Sequence, residues 1–143
     1  MDAVWVNELY IGTAYSSSEW TYAKLCKGIE GMTFNENEQN QQFFFLCGEG
    51  FANNEVTGAA PELQVTGRRV VGDTAQDFIA GLQFKMGSER VTSVKVTTGG
   101  KIITCDAVVT DIVTFGGNSA DLKPFNCNIR FNGKPSVTDV PSQ

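Results

Sequence analysis

A chain of 143 residues, 41% apolar and 19% charged, is long enough for one domain with a single buried core. Its formal charge is −5 and no basic run exceeds Arg68-Arg69, which excludes the electropositive stripe of a protein that grips nucleic acid. Histidine is absent, so Ser-His and Cys-His catalysis and every histidine-ligated metal are excluded as well.

The first eighteen residues are expected to form an arm. Val4, Val6, Leu9 and Ile11 offer short extended apolar pieces, and residues 12–18 are small, polar and without period. From Trp20 to Cys26 a strand pattern resumes, with Trp20, Tyr22 and Cys26 on one side and Thr21, Ala23 and Leu25 on the other. Gly28 and Gly31 mark a corner or bulge. A hairpin is expected next, pairing Gly31-Met32-Thr33-Phe34-Asn35-Glu36 with Gln42-Phe43-Phe44-Phe45-Leu46 around a polar tip at residues 36–41. In its second strand Phe43 and Phe45 point one way, and Phe44 and Leu46 the other. One face can enter the core of a small domain. The second face also needs cover, and another copy of the same chain is the simplest source. A fully buried central strand of a two-layer fold is the plainer alternative.

Residues 48–62 have no period, carry Gly48, Gly50, Gly58 and Pro61, and leave Phe51 and Val56 without an apolar neighbour, so they are expected to be a long loop. Leu63-Gln64-Val65-Thr66-Gly67 is a short strand. Asp73 opens the one helix, with Gln76 three residues on as in a capping box. Ala75, Phe78, Ile79 and Leu82 form its apolar stripe, Gln76, Asp77 and Gln83 are expected to face out, and its end is expected near Gly87. A helix of this length must dock on a sheet. Two strands follow, from Val91 to Thr98 and from Lys101 to Thr114, joined at the hairpin turn Gly99-Gly100. After a polar loop opened by Gly116-Gly117, Phe125, Cys127, Ile129 and Phe131 point inward and alternate with Asn126, Asn128 and Arg130. Residues 133–143, with Pro135 and Pro141, are expected to be a loose tail. The order argues for one mainly β domain over residues 1–143, an antiparallel β-sandwich or barrel with one short packed α-helix.

No catalytic or cofactor motif appears along this path. There is no phosphate loop, no dinucleotide fingerprint and no nucleophile elbow. The four cysteines, at 26, 47, 105 and 127, lie inside expected strands without zinc or redox spacing. Their even count leaves two disulfides open. Met1-Asp2-Ala3-Val4-Trp5 has no basic region or long apolar run, so no leader is expected, and buried free thiols are the better account. No stretch has the length of a membrane span. For glycosidic chemistry the remaining option is a carboxylate pair assembled in space, such as Asp106 with Asp111.

The spaced pattern as a whole carries a resemblance. It consists of Trp20-Thr21-Tyr22-Ala23-Lys24-Leu25-Cys26 leading into Lys27-Gly28-Ile29-Glu30-Gly31; the acidic, Asn-rich stretch before Phe43; Pro61 in a long loop; the helix with Asp73 and Asp77-Phe78-Ile79; Asp106-Ala107-Val108-Val109; and Pro124-Phe125-Asn126-Cys127-Asn128-Ile129 running on to Asn132-Gly133-Lys134-Pro135. In this it resembles the tail tube, or major tail, proteins of tailed bacteriophages, over about nine tenths of the chain. The resemblance implies a structural virion subunit, not an enzyme, without cofactor or metal. It implies hexameric rings that stack into a tail tube, with tape-measure, tail terminator and baseplate proteins as further partners. It also implies synthesis in the host bacterial cytoplasm. On this reading Phe43, Phe44, Phe45, Leu46, Phe51, Val56, Val4 and Val6 contact neighbouring subunits or rings, and Glu36, Glu38 and Asp106 are lumen carboxylates past which DNA moves without specific binding. A different reading is a monomeric β-sandwich that binds carbohydrate on a platform of Trp5, Trp20 and Tyr22.

Overall fold

The computed structural model describes residues 7–139. In chain order the elements are β1 (Glu8–Ser16), β2 (Glu19–Lys24), β3 (Ile29–Asn35), β4 (Gln39–Phe44), β5 (Ala52–Gly58), β6 (Glu62–Arg68), α1 (Thr74–Ala80), β7 (Val91–Thr98), β8 (Lys101–Val113), β9 (Pro124–Phe131) and β10 (Ser136–Asp139). Eight strands form one antiparallel sheet in the order β2-β1-β7-β8-β9-β6-β3, with β10 pairing the first part of β8. Among the described residues β4 and β5 pair only with each other.

Period-two alternation decides the sheet's two faces. Leu9 and Ile11 of β1, Leu63 and Val65 of β6, Val94 and Val96 of β7, Ala107 and Val109 of β8, and Phe125, Cys127 and Ile129 of β9 turn to one side and form the core. The sheet curls around that side, so β3 comes to face β1 and β2 across a seam lined by Leu9, Leu25, Ile29 and Met32. Ala75, Ile79 and Leu82 close one end of the roll. The mainly β fold with one short packed helix is therefore as expected. The glycine hairpin is as well: Gly99 and Gly100 have φ of 54° and 79°, and Thr98 pairs with Lys101 across them.

The helix is shorter than its apolar stripe suggests. It stops at Ala80, with Gly81 as its cap, and a separate 3-10 turn spans Gly87–Arg90. Asp73 caps its start by accepting from the Gln76 backbone N–H. Gln76 does not face out. Its amide is fully buried, accepting from the Val70 N–H at 2.7 Å and donating to the Lys27 and Arg68 carbonyls at 2.7 and 3.0 Å. A seven-residue helix buries too little apolar surface to fix its own position, so this polar clamp ties it to both chain segments beside it.

Several boundaries differ from expectation. Residues 8–16 are not arm but a strand between β2 and β7, with Leu9 and Ile11 in the core. Residues 136–139 of the expected loose tail pair with β8. On β2 the core side is that of Ala23 and Leu25, while Trp20 and Tyr22 lie on the sheet's outer face. Cys26 and Cys47 lie outside strands and are exposed; Cys105 and Cys127 are buried free thiols.

The hairpin expected between β3 and Phe43 is not made. β3 pairs instead with β6, Phe34 opposite Leu63 and Asn35 opposite Glu62. Residues 36–61 are thus an insertion in the β3–β6 hairpin. Its two ends meet where the Ala60 N–H donates to Glu36 O at 2.9 Å and Asn37 Nδ2 donates to Ala60 O at 3.0 Å.

Candidate assembly interface

Between those closed ends the inserted chain forms a free-standing ribbon. Gln39, Asn40, Gln41 and Gln42 face Gly58, Val56, Glu55 and Asn54, so the shaft is almost wholly polar. The residues expected to be a hairpin tip, 36–41, are instead its root and lower shaft. The residues expected to be a loop, 48–62, contain its returning strand. The tip is the segment from Phe45 to Phe51, turned by a 3-10 helix at Leu46–Gly48 and by the positive φ of Glu49 and Gly50. Strand geometry gives the six-residue shaft a reach of about 20 Å.

Apolar side chains are concentrated where the ribbon is farthest from the body. Phe44 is 67% exposed, Phe51 76%, Leu46 fully and Phe45 more than half. The rings of Phe43 and Phe45 stack at 6.2 Å, giving the tip one firm aromatic edge. Neither face of the ribbon enters the core, which corrects the expectation that one would. An isolated two-stranded hairpin is at best marginally stable in water. Burying these side chains against a partner would contribute about 1.5–3 kcal/mol each before the costs of association.

The structure brings Phe43, Phe44, Phe45, Leu46, Phe51 and Val56 together on this one element. Val4 and Val6 lie outside the described residues. Glu36 and Glu38 stand at the root, close enough that the hydrogen bond protonated Glu36 donates to Glu38, with the repulsion between the two carboxylates, pushes the Glu36 pKa up. Asp106 is apart from them, exposed on β8, with β9 and β6 standing between β8 and β3 in the sheet.

A second exposed apolar set was missed by the sequence reading. β6 runs from the ribbon root to the opposite pole of the roll, where the chain passes into α1. At that pole Phe84 and Met86 are exposed in the connection from α1 to β7, and Phe115 and Leu122 in the connection from β8 to β9. Gln83 ties the first connection to the end of β8, donating to Ile112 O and accepting from Thr114 Oγ1. The Arg69 N–H holds the second connection at Lys123 O. Lys85 and Lys123 lie among these side chains, and neither forms an ion pair among the described residues. The signal in the sequence was there: large apolar residues in loops, without periodic partners.

The alternatives weaken on geometry. Asp106 and Asp111 are five residues apart on one strand, roughly 15 Å, well beyond the carboxylate spacing of a glycosidase. Asp111 is also held by Asn128 Nδ2 at 2.8 Å. Tyr22 hydrogen-bonds Ser93, and Lys95 Nζ sits 4.7 Å over both the Tyr10 and Tyr22 rings, so the faces a sugar would stack on are taken. Trp5 lies outside the described residues. Among the described residues no His, Cys, Asp and Glu group is placed to hold a metal, and no helix is long and apolar enough to cross a membrane.

A curled antiparallel sheet closed by one short helix, with a long ribbon inserted in a hairpin, defines the fold class. No family model and no curated protein sequence matches the chain. Solved structures with the same fold do. A chain from the tail of an empty gene transfer agent particle, reconstructed with C6 symmetry, superposes with a TM-score of 0.76 at 12% identity, over 96% of this chain and 99% of that one. A chain from the native gene transfer agent virion gives 0.75 at 12% identity over the same shares. A chain of the sheath–tube complex of an extracellular contractile injection system gives 0.59 at 10% identity, over 96% of this chain and 91% of that one. At such identities the likeness is one of fold.

Proposed function

We propose that this protein is a non-catalytic structural subunit of a phage-like tail, polymerising as stacked hexameric rings around a lumen through which DNA passes. The observation that carries this is the ribbon: a polar shaft whose exposed apolar tip is covered by none of the described residues of its own chain. The fold shared with chains from two tail particles and a sheath–tube complex supports the same reading, as does the sixfold symmetry of one of them. Two sheet edges support ring closure, since β2 pairs only with β1 and β3 only with β6 among the described residues. Joining such edges between copies removes the open backbone groups that otherwise promote aggregation. The product is a virion tail built in the host cytoplasm, with tape-measure, terminator and baseplate proteins as its other partners.

Charge fits transit without capture. Six copies carry about −30 of formal charge, which disfavours the phosphate contacts that make DNA binding strong. Glu36, Glu38 and Asp106 are the carboxylates assigned to the lumen, and replacing them with lysine is expected to leave tubes intact while slowing DNA ejection from assembled particles. Unchanged ejection would remove them from that role. Electron microscopy of concentrated protein in negative stain tests the whole reading. Rings or tubes are expected, and a monodisperse monomer at high concentration would overturn it.

A further inference from the structure

Ala75, Ile79 and Leu82 close one end of the roll, but the end at the ribbon root, next to Phe34, stays open. It carries a cavity of about 250 Å3 walled by Met32, Phe34, Leu63, Val96, Ile103 and Phe131. Phe34 is still half exposed there, and Met32, Ile103 and Phe131 are only partly buried. A wall of this kind gives water few partners, and an apolar cavity of about 150 Å3 already takes up benzene. The cavity's polar side chains are Asn7 and Thr98, where β1 begins and β7 ends, and the Thr98 hydroxyl donates to Asn7 Oδ1 at 2.7 Å. Asn7 is also where the described chain begins, and the six residues before it include Trp5. Leu9 and Ile11 turn into the core and Asn7 lines the cavity, so alternation puts residue 5 next on that side, with Val4 and Val6 on the other. Two residues span at most about 7 Å, which keeps residue 5 within a side chain's length of the cavity mouth. The β7 side of the ladder offers no further strand residue, because Glu8 pairs with Thr97 and the chain turns back at Gly99-Gly100.

We propose that Trp5 plugs this cavity from its own chain and closes the end of the roll that α1 does not. An indole suits both parts of the site. Its ring takes the apolar wall, and its N–H meets the Thr98 hydroxyl, which accepts no hydrogen bond among the described residues. Tethered two residues from the edge, it reaches the cavity at an effective concentration that an aromatic side chain of a second copy does not match. The plug is made within one chain, so it stands whether or not copies polymerise.

The chain has two tryptophans, so Trp20→Phe leaves Trp5 as the sole reporter. In dilute, folded protein its emission is expected to lie toward the blue, and acrylamide should quench it several-fold less than it quenches free tryptophan. Trp5→Gly should lower the thermal midpoint by about 5 °C or more. Added indole should raise that midpoint again and leave the midpoint of the unaltered chain in place, because the cavity there is already filled. Ile103→Trp in the Trp5→Gly chain fills the cavity from its wall and should abolish the response to indole. Emission as red and as readily quenched as that of free tryptophan overturns the plug. So does an indole response that is absent from Trp5→Gly, equal in the unaltered chain, or persistent with Ile103→Trp.

Discussion

Gln76 shows most sharply how one side chain can hold this fold together. Its amide serves one backbone N–H and two carbonyls from two chain segments, at the point where the helix meets the sheet. Gln76→Leu keeps the volume and orphans those groups, so a loss of about 3 kcal/mol or more is expected, read from the urea midpoint of the monomer. Asp77 beside it is held ionised. The hydrogen bond from Arg69, aided by the Gly72 N–H, lowers its pKa below the ordinary 3.8. A depressed folded value means that its contribution is present above the unfolded pKa and lost as pH falls through the folded one. Asp77→Asn should therefore flatten the acid side of the stability–pH curve below about pH 4, measured by thermal unfolding across a pH series. The thiols divide in the same residue-by-residue way. Burial pushes Cys127 up to about 12 and raises Cys105, while Cys26 and Cys47 are exposed. Two thiols should react with a disulfide reagent in the native monomer, and the other two only on unfolding.

At the scale of elements, the ribbon separates stability from assembly. Its tip residues touch none of the core, so Leu46→Ser with Phe51→Ser should shift monomer unfolding by no more than about 0.5 kcal/mol while abolishing polymers in electron micrographs. The β3–β6 pair behaves in the opposite way. A Cβ on Gly67 would run into the backbone of Gly28 and Ile29, where the Arg68 N–H donates to Gly28 O at 2.7 Å. Gly67→Ala should cost about 1–3 kcal/mol by denaturant titration and disturb the ribbon root through the strand pair that carries it. The same element explains the one mistaken pairing. Phe43 to Leu46 lies closer in sequence to β3 than β6 does, and local order favours the nearer partner. What decides is burial: Leu63 and Val65 can join the core opposite Phe34 and Met32, whereas Gln41 and Gln42 cannot.

At the scale of the molecule, the two apolar poles make a subunit with direction. A roll with an apolar tip at one end and a different exposed apolar set, carrying both acids and bases, at the other presents two unlike ends. Among the described residues β2 and β3 leave its two sheet edges unpaired, the kind of edge that pairs with another chain. Little of this polarity can be seen along the chain. Phe84, Met86, Phe115 and Leu122 are far apart in sequence and are brought to one pole only because α1, β7, β8 and β9 begin or end there.

The glycine turn at 99–100, the alternating strands on either side of it, the inward set from Phe125 to Ile129 and the Asp73 cap were all legible from residue order, because each depends on neighbours a few positions away. So was the apolar character of Phe43 to Leu46 and its need for cover. The partner of that segment, the inward turn of Gln76 and the strands at residues 8–16 and 136–139 were not legible. Each depends on contacts across tens of residues, and the energy of a long-range pair is unknown to a local pattern until the chain has closed around it.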